Sequence, residues 1–323
     1  IHNITIGNVQ IGDKIPSINT LSEEFYLSRD TVERAYSVLK KRKVLVSVKG
    51  KGTYVSQNQI TLKLNVLFLV NKLSPFKMEI YNSFVNELGG NYQVDLHSYH
   101  CDESLFLDLL DKNKSTYDFF VILPHFRSKN LLHKSSTDKV SKAINELPKS
   151  KLLLLDNKEH NVEGSFTEVS QDFETDLIDA LNSGTDKIRK YNKLTLVYPK
   201  SNFYPYPKEI QSGFRKYCVQ NNFKFEIIEE VTSKTLIERK SLFVTIEESD
   251  LVSLVKKVRN DKFTLGKDVG VISYNDTPLK KLLGITVVST NFSLMGKKAA
   301  EMILHKRRRK IKIPFNLVQR DSL

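Results

Sequence analysis

The sequence predicts an α/β protein, with a small α+β domain at its N-terminus followed by two lobes of doubly wound parallel sheet. Two observations predict this architecture. Residues 11–55 carry two short helical patterns and then a two-strand pattern with a glycine-containing turn. From residue 64 onward, apolar strands alternate with amphipathic helices in two consecutive sets of similar length. Such alternation is typical of parallel sheets that are covered by helices.

The two N-terminal helices each begin at a serine. Ser17 can cap the first helix, and Ser28 can cap a second that extends to Lys41. The second helix carries an apolar stripe on one face: Val32, Ala35, Tyr36 and Leu39. Two short helices joined by a tight turn form a helix-turn-helix motif, whose second helix enters the major groove of DNA. Arg29 stands at the start of that helix, where a guanidinium can bind guanine O6 and N7.

A basic hairpin, or wing, is expected next. Val44 to Val48 and Thr53 to Val55 have strand character, and Lys49-Gly50-Lys51-Gly52 joins them. Lysines at such a tip favour contacts with phosphates or the minor groove. The predicted DNA-binding residues are Lys14, Ser17, Ser28, Arg29, Thr31, Arg34, Lys49, Gly50, Lys51 and Gly52.

Three segments of this stretch, G-D-K-I-P-S, S-R-D-T-V and G-K-G-T-Y-V, carry a family resemblance. Their order and spacing resemble the winged-helix domain of GntR-type bacterial transcription regulators. Such domains begin with a helix ahead of the G-D-K turn, and only Ile1 to Ile6 precede it here, so we expect a truncated first helix. The alternative is a surface helical hairpin next to an unrelated β-turn.

Composition narrows the class of partner. The 323 residues carry 50 Lys and Arg against 37 Asp and Glu, a net charge of +13. This balance favours a polyanionic partner, and nucleic acid fits it better than a membrane because no basic amphipathic anchor is evident. The sequence has no run of about twenty apolar residues, so no membrane span is predicted. The two cysteines, Cys101 and Cys218, fit a reducing cytoplasm, with a single bond between them as the alternative.

The sequence predicts a winged domain at 1–57, a linker at 58–63 and a larger α/β domain at 64–323, for which the next segments suggest a sensor role. Within the sensor, lobe 1 is expected at about 64–160 and 290–312, and lobe 2 at about 161–289 and 313–323. Strands are predicted at 64–70, 94–99, 119–123, 151–155, 193–198, 225–229, 242–245, 269–274, 285–289 and 315–318. Helices are predicted at 76–88, 103–112, 136–146, 173–182, 207–221, 249–260 and 293–305.

This second part also carries a family resemblance, on six short segments. They are S-P-F at Ser74–Phe76, G-F-R-K at Gly213–Lys216, D-V-G-V-I-S-Y-N-D at Asp268–Asp276, T-N-F at Thr290–Phe292, M-G-K-K-A-A at Met295–Ala300 and L-V-Q-R-D-S at Leu317–Ser322. In this order they resemble the LacI-type, periplasmic-binding-protein-like sensor domain. The whole chain therefore resembles GntR/LacI hybrids such as the arabinose-responsive repressors. Ile210 departs from the family, which often has an arginine that contacts sugar hydroxyls at this position.

Ligands of such sheets bind beyond the carboxyl ends of the strands, which two facing lobes turn into a cleft. The predicted ligand-binding residues are Lys72, Phe76, His125, Phe126, Asp156, Asn157, Gln171, Asp172, Tyr206, Lys208, Glu247, Asn275 and Asp276. Carboxylates and amides suit sugar hydroxyls, and aromatic rings suit the C–H faces of a sugar. Asn275 is the first choice among them. The alternative for Asp156, Asp172 and Asp276 is helix capping.

No pattern supports catalysis, and no cofactor is expected. The chain has neither a G-x-S-x-G elbow nor a G-x-x-x-x-G-K-[ST] loop. His97, His100 and Cys101 are close in sequence but lack the spacing of a zinc motif, which favours a solvated strand end. The basic run Lys306–Lys310 follows a helix, where favourable charge at a helix C-terminus explains it better than a DNA contact.

These observations predict a cytoplasmic, sugar-responsive transcription regulator that binds operator DNA as a homodimer. By resemblance it is a repressor of carbohydrate-utilisation genes, relieved by a monosaccharide. Aromatic rings at Phe76, Phe126 and Tyr206 favour a sugar with an apolar face, such as L-arabinose or L-fucose. The alternatives are a sugar-binding or transport-associated protein without a DNA role and, more remotely, a sugar-modifying enzyme.

Overall fold

The structure, a computed structural model, describes residues 4, 8–56, 63–158, 161–200 and 202–323. Its backbone divides into two compact units. The smaller comprises Ile1–Asn65 with Gly89–Gln93, and the larger comprises Val66–Leu88 with Val94–Leu323. The predicted linker at 58–63 falls outside the described residues except for Lys63, and so does most of the expected first helix.

The smaller unit has the predicted helix-turn-helix, with helices α1 (Ile18–Glu24) and α2 (Arg29–Lys41). The Ser17 hydroxyl accepts a hydrogen bond from the Thr20 amide, and the Ser28 hydroxyl accepts one from the Thr31 amide. Each serine thus satisfies an amide that the first helical turn leaves unpaired.

A hairpin of strands β1 (Leu45–Val48) and β2 (Gly52–Val55) completes the smaller unit, with Val48 opposite Gly52. Helix and hairpin share one apolar core, which buries Val32, Tyr36, Val44, Leu45 and Val55. Val32 and Tyr36 are one helical turn apart and therefore point to the same side. Ala35, predicted in the buried stripe, is exposed because it lies on the flank of that face.

The first sheet of the larger unit has the strand order β15-β9-β8-β5-β3-β4. Its strands are β3 (Leu64–Val70), β4 (Tyr92–Ser98), β5 (Phe119–Ile122), β8 (Leu152–Asn157), β9 (Thr167–Gln171) and β15 (Lys310–Lys312). Helices cover it: α3 (Pro75–Leu88), α4 (Glu103–Asn113), α5 (Asp138–Asn145) and α11 (Phe292–Leu304). Strand β3 is buried on both faces, which explains its continuous apolar sequence.

The second sheet has the order β11-β10-β12-β13-β14-β16, in which only the β14–β16 pair is antiparallel. Its strands are β10 (Lys193–Val197), β11 (Lys224–Ile228), β12 (Ser241–Thr245), β13 (Val269–Tyr274), β14 (Thr286–Thr290) and β16 (Phe315–Val318). The remaining helices are α6 (Thr175–Ser183), α7 (Thr185–Ile188), α8 (Glu209–Gln220), α9 (Glu248–Asn260) and α10 (Pro278–Leu282). We call the first-sheet layer lobe 1 and the second-sheet layer lobe 2.

The chain passes from lobe 1 to lobe 2 later than the sequence predicted. Strand β9 belongs to the first sheet, where Thr167–Gln171 pairs in parallel with β8. Lobe 2 therefore begins after Gln171 and not at residue 161. The sequence Thr-Glu-Val-Ser-Gln has no apolar run, although all five residues are buried, and this is why the strand gave no signal. A small hairpin of β6 (Phe126–Arg127) and β7 (His133–Lys134) was also not predicted.

After β14 the chain returns to lobe 1 through α11, which packs closely on α3. A Cβ atom on Gly296 would lie 2.3 Å from the Ile80 carbonyl oxygen, so only glycine allows this approach of the two helices. Cys101 and Cys218 are both free and buried, which excludes the alternative of a bond between them. None of the helices in the described part of the chain is long and apolar enough to cross a membrane.

Candidate functional site

The N-terminal end of α2 presents polar and basic side chains to solvent. Arg29, Thr31 and Arg34 are exposed, while Val32 between them is buried. The caps fix the start of the helix, and so the position of Arg29. The hydroxyl oxygens of Ser17 and Ser28 accept the capping hydrogen bonds, so both serines orient their helices.

The wing turn depends on its glycines. Gly50 and Gly52 have φ of +75° and +114°, values that side chains disfavour. A Cβ atom on Gly52 would also lie 2.8 Å from Cε of Lys14. Lys49 and Lys51 on this turn are exposed, and so is Lys14, whose backbone bridges to Tyr54 beside it. The predicted DNA set therefore divides into exposed donors, capping serines and turn glycines.

The larger unit contains a cavity of about 350 Å³ between its two lobes, of a size that suits a small ligand. Lobe 1 lines it with the residues that follow β3 and with side chains from β8, β9 and the segment after β5. Lobe 2 lines it with residues that follow β10, β12 and β13. These are the carboxyl ends of parallel strands, where ligands of such sheets bind.

Asp156 is the centre of the lobe 1 wall. Its carboxylate accepts hydrogen bonds from the Lys77 ammonium, from His125 Nε2 at 2.8 Å and from the Gln171 amide. Burial alone would raise the pKa of Asp156, but Lys77 and His125 together hold it below its ordinary value. Gln171 in turn accepts from the Thr290 hydroxyl. Asp156 is therefore ionised, and both of its oxygens have partners.

Two neighbouring histidines continue this network away from the cavity. His125 Nδ1 lies 2.8 Å from His133 Nε2. Burial lowers the pKa of His125, and burial together with His125 lowers the pKa of His133 to about 2, so both rings are neutral near pH 7. Because Asp156 can only accept, His125 must donate from Nε2, and His133 then donates to its Nδ1. The tautomers of both histidines follow from the carboxylate.

The lobe 2 wall has its own paired groups. The Glu247 carboxylate accepts from the Tyr206 hydroxyl at 2.9 Å and from the Asn202 amide at 3.0 Å. Lys280 is buried and donates to the carbonyl oxygens of Tyr274 and Asn275, at 2.7 and 3.0 Å. Asn275 has φ of +59°, the left-handed conformation that asparagine tolerates.

One segment of lobe 2 reaches across the cleft opening to lobe 1. We call residues 202–206, which follow β10, the strap. The Tyr204 hydroxyl lies 2.9 Å from His100 Nδ1, and the Phe203 ring lies 4.0 Å from the guanidinium carbon of Arg127. The Lys72 ammonium lies over the rings of Tyr204 and Tyr206, at 5.4 and 5.2 Å. Aromatic–cation contacts therefore join the two lobes.

Two buried polar atoms of the cavity wall have no hydrogen-bond partner among the described residues. They are Asn71 Oδ1 in lobe 1 and the Tyr274 hydroxyl in lobe 2. The two residues are only 5% and 6% exposed. An unpaired buried polar atom costs about 1–3 kcal/mol, so each of these side chains would gain a hydrogen bond by turning toward a molecule bound in the cavity.

The structure brings eight of the thirteen predicted ligand residues to the cavity. These are Lys72, Phe76, His125, Asp156, Gln171, Tyr206, Glu247 and Asn275.

The other five have different positions. Phe126 is fully buried in the lobe 1 core, stacked on Tyr99 at 5.1 Å, because its side chain points away from that of His125. The Asn157 amide donates to the Pro124 carbonyl, and the Asp172 carboxylate accepts from backbone amides at the start of α6. Lys208 is exposed at the start of α8, and Asp276 forms a two-pronged ion pair with Arg320.

Several cavity residues were not predicted from sequence. They include Asn71, Lys77, Phe173, Tyr274, Lys280 and Phe292. Asn71 directly follows β3, so it could have been predicted from its place at the carboxyl end of a strand. Lys77 is on the first turn of α3, and only the side-chain direction set by the helix brings it to Asp156. No group of three or more His, Cys, Asp or Glu in the described ranges could hold a metal ion.

Comparison with known proteins agrees with this two-part architecture. Residues 1–55 match the family of bacterial regulatory proteins, gntR family, and residues 188–323 match the periplasmic binding protein-like domain. The HTH-type transcriptional repressor YtrA of Bacillus subtilis is 34% identical over 55 residues, which are 17% of this chain and 42% of that protein. The chain thus spans less than half the length of the curated relatives it matches.

Solved structures resemble most of the chain. A LacI family transcriptional regulator from Lactobacillus casei with bound glucose has a TM-score of 0.62 and 15% identity, over 80% of this chain and 99% of that one. The trehalose repressor from Escherichia coli has a TM-score of 0.61 and 16% identity, over 79% and 100%. The predicted fold class, a helix-turn-helix domain followed by a periplasmic-binding-protein-like domain, is confirmed.

Proposed function

We propose that this chain is a cytoplasmic transcription regulator, which binds operator DNA through its winged unit and a monosaccharide through the cleft of its larger unit. The observation that carries the proposal is the presence of both sites in one chain. An exposed basic helix start and wing occur together with an interlobe cavity, and two residues that line it, Asn71 and Tyr274, each have a buried polar atom without a partner among the described residues. YtrA, which is similar in the first domain, is named a repressor, and this supports the same sign of regulation here.

The wing and the start of α2 would contact DNA in different ways. Arg29 would bind a base in the major groove, while Lys14, Lys49 and Lys51 would bind phosphates. A homodimer would place two winged units on a pseudo-palindromic operator. Release would follow if the sugar favours a closed cleft that changes the spacing of the two units.

The cavity supports a sugar ligand because it mixes hydroxyl-binding groups with aromatic faces. Asn71, Gln171 and Asn275 supply amides, and the rings of Phe76, Phe173 and Tyr206 supply apolar faces. L-arabinose and L-fucose remain candidates on this ground, although Phe126 is not among the rings. The L. casei neighbour holds glucose, a ligand of the same size class.

An electrophoretic mobility shift with the DNA upstream of the protein's own gene tests the proposal. We expect specific binding that is released by one member of a monosaccharide panel. The same panel in a thermal-shift assay should give a stabilised protein, since a ligand at about 100 times its Kd adds roughly 2.7 kcal/mol. Thermal stabilisation by a sugar with no DNA binding would instead support a sugar-binding protein without a DNA role.

A further inference from the structure

We propose that the effector of the cleft is a sugar that carries an anionic group, a phosphate or a carboxylate, and that Lys72 binds this group. The inference rests on the proposed sugar-binding function and narrows it to a chemical class. It would favour a sugar phosphate or sugar acid over a neutral pentose or 6-deoxyhexose.

The lobe 1 wall of the cavity carries a surplus of positive charge. Lys72 and Lys77 both line the cavity, and Asp156 is the carboxylate beside them. That carboxylate is fully used by Lys77, His125 and Gln171. Because His125 is neutral, the lobe 1 wall keeps one positive charge that has no ion-pair partner among the described residues.

Lys72 holds this unpaired charge. Its contacts in the described part of the chain are the rings of Tyr204 and Tyr206, and no described carboxylate forms an ion pair with it. Burial lowers the pKa of Lys72, and so does the neighbouring Lys77, with a partial opposite effect from Glu247. A bound anion would offset this cost of burial, because an opposite charge within about 4–6 Å favours the charged form of a lysine.

Glu247 on the opposite wall offsets the charge of Lys72 only in part, and the two groups form no ion pair. Its Oε1 atom already accepts from Asn202 and Tyr206, which fixes the carboxylate on the lobe 2 wall. The start of α3 adds to the positive potential instead. Ser74, Pro75 and Phe76 line the cavity, and the N-terminal end of a fourteen-residue helix carries a partial positive charge.

The rest of the ligand must carry hydroxyl groups. Asn71, directly before Lys72 in the chain, has a buried amide oxygen without a hydrogen-bond partner among the described residues. This oxygen can only accept, so a ligand hydroxyl would satisfy it when the side chain turns toward the cavity, and an anion would not. The Tyr274 hydroxyl, on the opposite wall, is also unpartnered and can donate or accept. A hydroxylated anion satisfies Asn71, Lys72 and Tyr274 together, whereas a simple inorganic anion satisfies Lys72 alone.

Calorimetry on the full chain with matched ligand pairs tests this inference. The pairs are D-glucose with D-glucose 6-phosphate, and D-galactose with D-galacturonate, so that the phosphate and the carboxylate are distinguished. Orthophosphate reports the anion alone. We expect one charged member to bind at least about tenfold more tightly than its neutral partner, and more tightly than orthophosphate.

Lys72→Gln isolates the proposed contact. It should abolish most of the preference for the charged member and change the affinity for the neutral partner less than about threefold. Lys256→Gln, which removes an exposed lysine from α9 away from the cavity, is the matched control and should keep the preference.

The outcomes separate this inference from the function on which it rests. Tight binding of a neutral sugar that releases operator DNA, with the charged form equal or weaker, would overturn the inference and leave the proposed function intact. The same holds if Lys72→Gln weakens both members of a pair equally. If no sugar of either class binds or alters operator binding, the proposed function fails and the inference fails with it.

Discussion

The candidate DNA site and the candidate ligand site differ in the exposure and pairing of their charged side chains. On the winged unit, the five basic side chains Lys14, Arg29, Arg34, Lys49 and Lys51 are exposed and form no ion pair with a described carboxylate. In the cleft, buried charges are connected with one another, and Asp156 alone has three partners. Exposed charges act almost independently, whereas buried connected charges act as a unit.

This difference has consequences for what each site can do. Free surface charges bind a polyanion at many positions, through interactions that fall steeply with salt. In the cleft, most buried polar groups already have hydrogen-bond partners, which hold their side chains in place. Few groups, such as Lys72 and Asn71, then remain to bind the proposed ligand. Substitutions should therefore be mild and additive on the winged unit, and severe and interdependent in the cleft.

Asp156→Ala should have the largest effect. It leaves Lys77 and His125 buried without their carboxylate, and loss of one partner of a buried ion pair costs about 3–5 kcal/mol. The free energy of unfolding, measured in urea, should fall by that amount. Asp111→Ala, which removes an exposed ion pair with Lys114, is the control and should leave the curve unchanged. If the two variants have the same urea unfolding curve, the hydrogen bonds of Asp156 in the cleft do not stabilise the fold.

Arg29→Ala should weaken specific DNA binding by about 1–3 kcal/mol and relax one base preference, because it removes the side chain proposed to make a bidentate contact to guanine. Lys49→Ala, by contrast, should weaken all sequences evenly and reduce the dependence on salt. Fluorescence anisotropy with operator and scrambled DNA distinguishes the two. Lys40→Ala, at the far end of the same helix, is the control. An unchanged operator affinity in Arg29→Ala would remove α2 from the recognition role.

Asn275→Gly should lower sugar affinity at least about tenfold, roughly 1.4 kcal/mol, without loss of DNA binding. Glycine removes the amide but accepts the left-handed φ of +59° at this position, so backbone strain does not confuse the result. Asn260→Gly, at the exposed end of α9, serves as the control. Calorimetric affinity equal to that of the parent would place Asn275 outside the ligand contacts.

Acidification should destabilise the cleft before it affects the winged unit. The pKa of His133 is about 2 in the folded protein, that of His125 is also lowered, and unfolded histidines titrate near 6.5. Unfolding therefore takes up protons below about pH 6.5, and stability falls by up to about 1.4 kcal/mol per pH unit for each histidine. Asp156, whose folded pKa is lowered, loses its contribution only at lower pH, below about 4.

His133→Gln tests this assignment in urea unfolding between pH 7 and pH 5. The variant should show a shallower fall in stability than the parent, and His305→Gln, an exposed histidine, should match the parent. A fall that is equal in all three proteins would assign the pH dependence to other groups.

The two sites also differed in how far sequence could predict them. The caps at Ser17 and Ser28, the exposed Arg29 and the glycines of the wing are local features, and the structure has them where the sequence placed them. Adjacent residues decide such features, through hydrogen bonds within one turn.

The cleft depends on side-chain direction and on contacts distant in sequence. His125 and Phe126 follow the same strand, yet one faces the cavity and the other the core. Lys280 was not predicted, because its buried position depends on the carbonyl groups of Tyr274 and Asn275 and on the nearby Glu248 carboxylate. The expectation that ligands bind beyond the carboxyl ends of the strands identified the region. It could not determine which of two neighbouring residues faces the cavity.

Release of operator DNA by a sugar requires that the two sites are coupled, and two titrations measure this coupling. The effector sugar is titrated into the protein alone, and into the protein saturated with operator DNA. If sugar releases DNA, then DNA must weaken sugar binding by the same factor, typically about 5–150-fold. We predict that operator raises the apparent Kd of the sugar within this range. Identical constants in the two titrations would contradict the account, because the winged unit and the cleft would then work independently.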